Sequence, residues 1–177
     1  MGNYKFIISG IIFAVFIGIV LFDAGYKNGS QNDLSHAAEK ASSSVVNIFI
    51  SSRGINATRN AVGSGVIFSK EGHIVTNTHI LTNARSVFVE FNDGEITEAV
   101  LIGADKYSDI AVLKINGFEG LNPIESAESS NIRVGDEVLA IGNPFGVGKT
   151  VTSGIISATG RDYGNPYLEL LQTDAAI

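Results

Sequence analysis

The sequence contains 177 residues, of which 45% are hydrophobic, and it carries a formal net charge of −6. This composition excludes a disordered chain and leaves room for one domain with a substantial core and an appendage. The 12 lysines and arginines are scattered without a basic patch, and cysteine is absent, which argues against a nucleic-acid partner and excludes disulfides and thiolate metal sites.

The first element along the chain is an apolar run, residues 6–22, that contains no charged side chain. As a helix it would extend roughly 26 Å, close to the hydrocarbon thickness of a bilayer. The flanking Lys5 and Asp23 weakly indicate a cytoplasmic N-terminus. A cleaved signal peptide is the alternative, but the run is longer than the usual apolar region and no small-residue cleavage site follows. The sequence therefore favours an uncleaved membrane anchor in residues 1–23.

Residues 24–44 connect this run to the strands that follow. Their first ten residues are rich in Gly, Asn, Ser and Gln, which is typical of a linker. Asp33 is a candidate N-cap for a short helix over residues 34–42, on which His36 is expected to be exposed.

After Ser43 the pattern becomes that of short β-strands separated by turn residues. Alternation of apolar and polar residues over 87–91, followed by the hairpin signal Asn92-Asp93-Gly94, is one example. Strands are predicted at residues 45–50, 66–68, 73–76, 87–91, 95–102 and 110–115. Six such strands suffice for one closed antiparallel barrel. A connection over 117–134 follows, and strands at 137–141, 150–158 and 167–172 begin a second set.

Two residues with catalytic chemistry lie at predicted strand ends. His79 follows the hairpin of residues 66–76, and Asp109 directly precedes the apolar strand 110–115. Histidine can act as a general base near neutral pH, and a carboxylate can hold its Nδ1–H tautomer, as in a serine-hydrolase triad. Spacing alone leaves this assignment open, because histidines in β-rich chains are more often structural. Asp105 is the competing carboxylate, which we interpret as a solvated or turn residue in a loop.

Six short sequence blocks occur in a fixed order between Val45 and Ile177. They are Gly63-Ser64-Gly65-Val66-Ile67, Thr76-Asn77-Thr78-His79, Ser108-Asp109-Ile110-Ala111-Val112-Leu113-Lys114-Ile115, Ala140-Ile141-Gly142-Asn143-Pro144-Phe145-Gly146, Thr150-Val151-Thr152-Ser153-Gly154-Ile155-Ile156-Ser157 and Leu171-Gln172-Thr173-Asp174-Ala175-Ala176. In this order they resemble the HtrA family of trypsin-fold serine proteases. The resemblance implies that His79 is the general base and Asp109 its orienting partner.

The resemblance also implies the fold, an all-β, trypsin-like double β-barrel preceded by one N-terminal transmembrane helix. Residues 45–116 would form the complete first barrel, and residues 117–177 the connection and the first part of the second barrel. In the family, the block ending at Ile177 is followed at once by the motif with the nucleophilic serine. We therefore interpret the sequence as the N-terminal part of a longer protease, without its PDZ domain, and expect no turnover from it alone.

The serines that are present offer no substitute nucleophile. Ser64 and Ser153 lie in strand motifs, and no Gly-x-Ser-x-Gly elbow occurs. A true pseudoenzyme is the less favoured explanation, since both His79 and Asp109 stand in good motifs. The segment from Gly142 to Gly146 has two open interpretations, a tight turn between strands or, by resemblance, a loop near the active site that rearranges on activation.

The expected function follows from the resemblance. It implies a serine endopeptidase with polypeptide substrates, a homotrimer, no cofactor or metal, and a part in envelope stress response or protein quality control. Anchored members of the DegS type face the bacterial periplasm, so we expect a single-pass inner-membrane protein with a periplasmic protease domain. Ile177 would line the substrate pocket and favour Val or Ala. The alternative is a non-catalytic, membrane-anchored β-domain that binds polypeptide.

Overall fold

The computed structural model describes residues 6–8, 19–22, 32–51, 60–126, 129–143, 148–161 and 170–176. Helix α1 spans Asn32–Ser42 and buries Ala37 and Ala41 against the strands. It begins two residues earlier than predicted, so Asp33 lies in its first turn and not at its cap. His36 is exposed, as expected.

Six antiparallel strands form a closed barrel. Their bounds are β3 Val45–Ser51, β4 Asn60–Ile67, β5 His73–Asn77, β6 Ser86–Glu90, β7 Ile96–Asp105 and β8 Ile110–Lys114. Their order around the barrel is β3-β4-β5-β8-β7-β6. Alternate residues along β3, β5 and β8 face the interior, where Ile48, Ile74 and Leu113 are fully buried. The predicted six-stranded barrel is confirmed.

Three further strands belong to the second set, β9 Glu137–Gly142, β10 Thr150–Arg161 and β11 Leu170–Thr173. The pairs β9–β10 and β10–β11 are both antiparallel. A hydrophobic cluster joins these strands to helix α1 and the barrel. Its buried members are Ala37, Ala41, Val45, Val66, Ile124, Leu139 and Ile141. This cluster therefore packs the second sheet against the barrel, while the barrel interior and the second sheet each have a further cluster of their own.

The N-terminal apolar run differs from its sequence prediction. Its described ends are strands, β1 Phe6–Ile8 and β2 Ile19–Phe22, which pair with each other, and β2 also pairs with β9. The continuous helix predicted over residues 6–22 is not what these ends adopt, and residues 9–18 lie outside the described part. Ile, Val and Phe are as common in strands as in apolar helices, and the edge of β9 offers backbone groups with which a strand can pair.

Among the described residues, no helix is long and apolar enough to cross a bilayer.

Candidate active site

His79 lies just beyond the end of strand β5, in a short 3₁₀ turn, His79–Leu81. Backbone bonds from Leu81 N to Thr78 O (3.1 Å) and from Thr82 N to His79 O (3.2 Å) close the turn. The buried Ile80 fastens it to the end of the barrel. A Cβ on Gly63 would come within 2.9 Å of the Cδ1 of Ile80, so a larger residue there would have to displace the side chain of Ile80.

Asp109 lies just before strand β8, which pairs with β5 so that Asn77 is opposite Ile110. This pairing brings residue 109 beside residue 79, although 30 positions separate them. Asp109 has a positive φ of 55°. Aspartate is one of the few non-glycine residues that tolerate this left-handed conformation, which turns the side chain towards the end of β5.

The two side chains form a close pair. The Nδ1 of His79 is 2.5 Å from the Oδ2 of Asp109, and the backbone N–H of His79 donates to Oδ1 of the same carboxylate at 2.9 Å. The side chain of His79 is 45% exposed and that of Asp109 is 33% exposed. A carboxylate on Nδ1 holds the proton there and leaves Nε2 free to accept one. The pair can therefore perform general-base chemistry at Nε2.

The competing carboxylate, Asp105, has a local role. Its Oδ1 accepts a hydrogen bond from the backbone N–H of Tyr107 at 3.0 Å, and the residue is exposed. The hydrogen bond from Tyr107 lowers the pKa of Asp105 below its ordinary value, with a further contribution from Ser108. Asp105 is therefore solvated, as predicted, but it is the last residue of strand β7, where it pairs with Ile110 and binds the start of the turn that follows, and it does not lie in a loop.

The start of the segment from Gly142 to Gly146 is held by a buried polar network. Asn143 donates from its backbone N–H to the Oγ of Ser64 at 2.9 Å and from Nδ2 to the Oδ1 of Asn47 at 3.0 Å. Its own Oδ1 accepts from the backbone N–H of Gly148 at 3.1 Å. Ser64 is thus buried and its hydroxyl accepts a hydrogen bond that links strand β4 to the residue after β9, as expected of a strand residue. Residues 144–147 lie outside the description, so the two interpretations of the loop remain predictions.

Lys149 fastens the start of strand β10 to the first barrel. Its Nζ donates to the backbone oxygens of Ser42 (2.6 Å) and Val45 (2.5 Å) and to the side-chain oxygen of Asn92. Desolvation by burial lowers the pKa of Lys149 to about 8. The contacts join the end of helix α1, the beginning of β3 and the hairpin turn after β6.

The last described segment, residues 170–176, docks on strand β10. The Oδ1 of Asp174 accepts from the backbone N–H of Ile155 at 2.7 Å, and the hydroxyl of Thr152 donates to Ala176 O at 2.6 Å. Asp174 therefore braces this segment. Ile177, the predicted pocket residue, lies outside the described residues.

One polar residue at the site was not assigned a role from the sequence. The Nδ2 of Asn77 donates to the Oδ2 of Asp109 at 3.1 Å and to its backbone oxygen at 3.2 Å. The sequence feature that could have indicated this role is the place of Asn77 in the block that ends at His79.

Among the described residues no group of histidines and carboxylates could hold a metal ion.

The chain is similar to known trypsin-like peptidases. The family model of the trypsin-like peptidase domain matches residues 63–177. Serine endoprotease DegS of Salmonella typhimurium is 44% identical over 149 residues, which cover 80% of this chain and 41% of that protein. Periplasmic serine endoprotease DegP of Escherichia coli is 48% identical over 120 residues, covering 66% of this chain and 25% of that protein.

A similar structure is also known. The HtrA-type protease AlgW with a decapeptide superposes with a TM-score of 0.72 at 39% identity, over 81% of this chain and 51% of that one. The chain spans about two fifths of the length of the DegS relative and about half of the AlgW chain.

Proposed function

Because this chain belongs to the HtrA family of trypsin-fold serine proteases, we propose that it provides the general base and the orienting carboxylate of a serine endopeptidase that acts on polypeptides. The observation that carries the proposal is the pair formed by His79 and Asp109, with 2.5 Å between Nδ1 and Oδ2. Similar proteins that are named serine endoproteases support it.

The chemistry assigned to each residue is that of a serine-protease triad. The Nε2 of His79 removes the proton from a serine hydroxyl as its oxygen attacks the scissile carbonyl, and later returns that proton to the leaving amine. Asp109 keeps the Nδ1–H tautomer and stabilises the imidazolium that forms. The serine belongs to the motif that in the family follows the position of Ile177. We therefore propose that residues 1–177 have no turnover by themselves.

The proposed activity is tested in the protein continued through the family's nucleophile motif. It should cleave unfolded polypeptide and react with a fluorophosphonate probe, whereas residues 1–177 should do neither. His79→Ala should abolish cleavage because no base remains. His73→Ala is the matched control, since His73 lies at the other end of β5 and contacts Ser69 through its Nδ1 at 2.7 Å. Binding of polypeptide without any cleavage would favour the non-catalytic alternative.

Substrate preference in this proposal depends on Ile177 at the base of the pocket. A branched apolar residue there favours Val or Ala before the scissile bond, because a buried Lys or Arg would lack an opposite charge. Asp174 is the nearby acid, and its carboxylate is already bonded to Ile155. In the same assay, peptides that differ only at this position should rank Val and Ala above Lys and Arg. The reverse order would show that the pocket is misplaced.

We further propose that the protein is a single-pass, homotrimeric inner-membrane protease with its catalytic part in the periplasm and a role in envelope stress response or protein quality control. The motive for the anchor is the uncharged run of residues 6–22. A membrane helix and the pairing of β2 with β9 are alternative states of this run, because the same backbone groups are used in both.

Extraction of membranes with alkaline carbonate distinguishes these states. The protein should stay in the pellet at its full-length mass, and Val15→Lys should weaken its retention, since a lysine at the helix centre costs about 2.5–3.5 kcal/mol. A soluble product that begins after about residue 25 would indicate a cleaved signal peptide. Soluble protein of full mass would show that the strand pairing with β9 is the state present in cells.

A further inference from the structure

The carboxylate of Asp109 accepts hydrogen bonds from Asn77 as well as from His79. One oxygen, Oδ1, accepts from the backbone N–H of His79 at 2.9 Å. The other, Oδ2, receives two groups, the Nδ1 of His79 at 2.5 Å and the Nδ2 of Asn77 at 3.1 Å. Asn77 is therefore a second side chain, besides that of His79, that binds Oδ2, the oxygen facing Nδ1.

The amide of Asn77 also binds the main chain of the same residue. Its Nδ2 lies 3.2 Å from the backbone oxygen of Asp109, which also accepts from the backbone N–H of Thr78 at 3.1 Å. Asp109 has a left-handed backbone and a side chain that is one third exposed, so neither a regular strand nor close packing fixes its rotamer. A single amide that binds both the backbone and the carboxylate restricts that rotation.

We propose that Asn77 is a positioning residue for the candidate catalytic pair. Its amide holds the Asp109 carboxylate in the rotamer that faces Nδ1, and so determines which nitrogen of His79 carries the proton. The catalytic role of Asn77 rests on the proposed function. The effect of Asn77 on the tautomer of the His79 ring does not, and it can be measured separately. Without the amide, the carboxylate keeps its contacts with the backbone N–H and the Nδ1 of His79 but loses the bond that helps to hold Oδ2 towards the ring. The equilibrium of the neutral ring then shifts towards the tautomer with the proton on Nε2, which cannot act as base there.

The tautomer of His79 can be measured without any protease activity. Long-range ¹H–¹⁵N correlation spectra of ¹⁵N-labelled protein, recorded at about pH 9, report which ring nitrogen is protonated when the imidazole is neutral. The His79 signals are assigned from their loss in His79→Gln. His36 and His73 in the same spectra serve as internal references. The parent protein should show mainly the Nδ1–H form of His79.

Asn77→Leu, of similar volume, and Asn77→Ser, which remains polar, both remove the amide donor. Each should lower the ratio of Nδ1–H to Nε2–H tautomer of His79 by about tenfold, the size expected for loss of one charge-assisted hydrogen bond. Asn47→Leu is the matched control. Asn47 also lies in a barrel strand and donates through Nδ2 to a carboxylate, that of Glu90, at 2.7 Å, so its loss tests the general effect of such a change.

Each outcome decides the proposal. Folded Asn77 variants with the parent tautomer ratio would overturn it, as would an equal change in Asn47→Leu. If Asn77→Ser failed to fold, Asn77 would serve the barrel itself and the positioning role would be wrong. An unchanged tautomer in an active protease would contradict this inference alone. A parent His79 already in the Nε2–H form would count against the pair, and with it against the proposed function.

Discussion

Replacement of Asp109 by asparagine is expected to reduce the turnover of the protease, continued through its nucleophile motif, by about 10⁴-fold, which is the loss that this change causes in trypsin. The amide cannot hold the Nδ1–H tautomer of His79 and offers no negative charge to the imidazolium. Asparagine tolerates a left-handed backbone, so the φ of 55° at this position should not strain the fold. The measurement is kcat on an unfolded polypeptide, with a urea unfolding curve to compare stability.

Asp105→Asn is the matched control for this prediction. The carboxylate of Asp105 is exposed and accepts a bond from the backbone of Tyr107, which the oxygen of an asparagine can also accept. Its kcat should stay near that of the parent. A loss of activity in Asp105→Asn comparable to that in Asp109→Asn would mean that the orienting carboxylate has been assigned to the wrong residue.

Gly154→Ala is expected to destabilise the second sheet strongly. A Cβ at this position would lie 2.4 Å from the backbone nitrogen of Ala175 and 2.5 Å from the Oδ1 of Asp174. The first contact is with backbone, so the segment that carries both residues has to move away from strand β10. Overpacking of this kind costs about 1–3 kcal/mol, and the backbone contact places this case at the upper end. A lower urea midpoint than in the parent is the expected result.

Gly103→Ala provides the control, since Gly103 is also a strand glycine but an added Cβ would have no heavy atom within 4 Å. Alanine loses less backbone entropy on folding than glycine, so the midpoint should be unchanged or slightly raised. If Gly154→Ala and Gly103→Ala unfolded at the same urea concentration, residues 174–176 would not dock on β10 as described.

The first barrel was predictable because its signals are local. The alternation of residues 87–91 and the turn Asn92-Asp93-Gly94 each involve neighbours along the chain, and such neighbours decide strand faces and hairpins. The sequence blocks around His79 and Asp109 likewise indicated a serine protease, because their residues resemble the family's motifs.

Other features depend on contacts between distant residues. Asn77 bonds to Asp109 across 32 positions, Asn143 to Asn47 across 96, and Lys149 to Ser42 across 107. No local pattern encodes such partners, because each side chain forms its hydrogen bonds with whatever group the barrel and the second sheet bring beside it. The apolar run of residues 6–22 also depends on a distant contact. Its sequence predicted a membrane helix, but Ile, Val and Phe suit a strand too, and the edge of β9 gives one described end of the run, Ile19–Phe22, a strand partner.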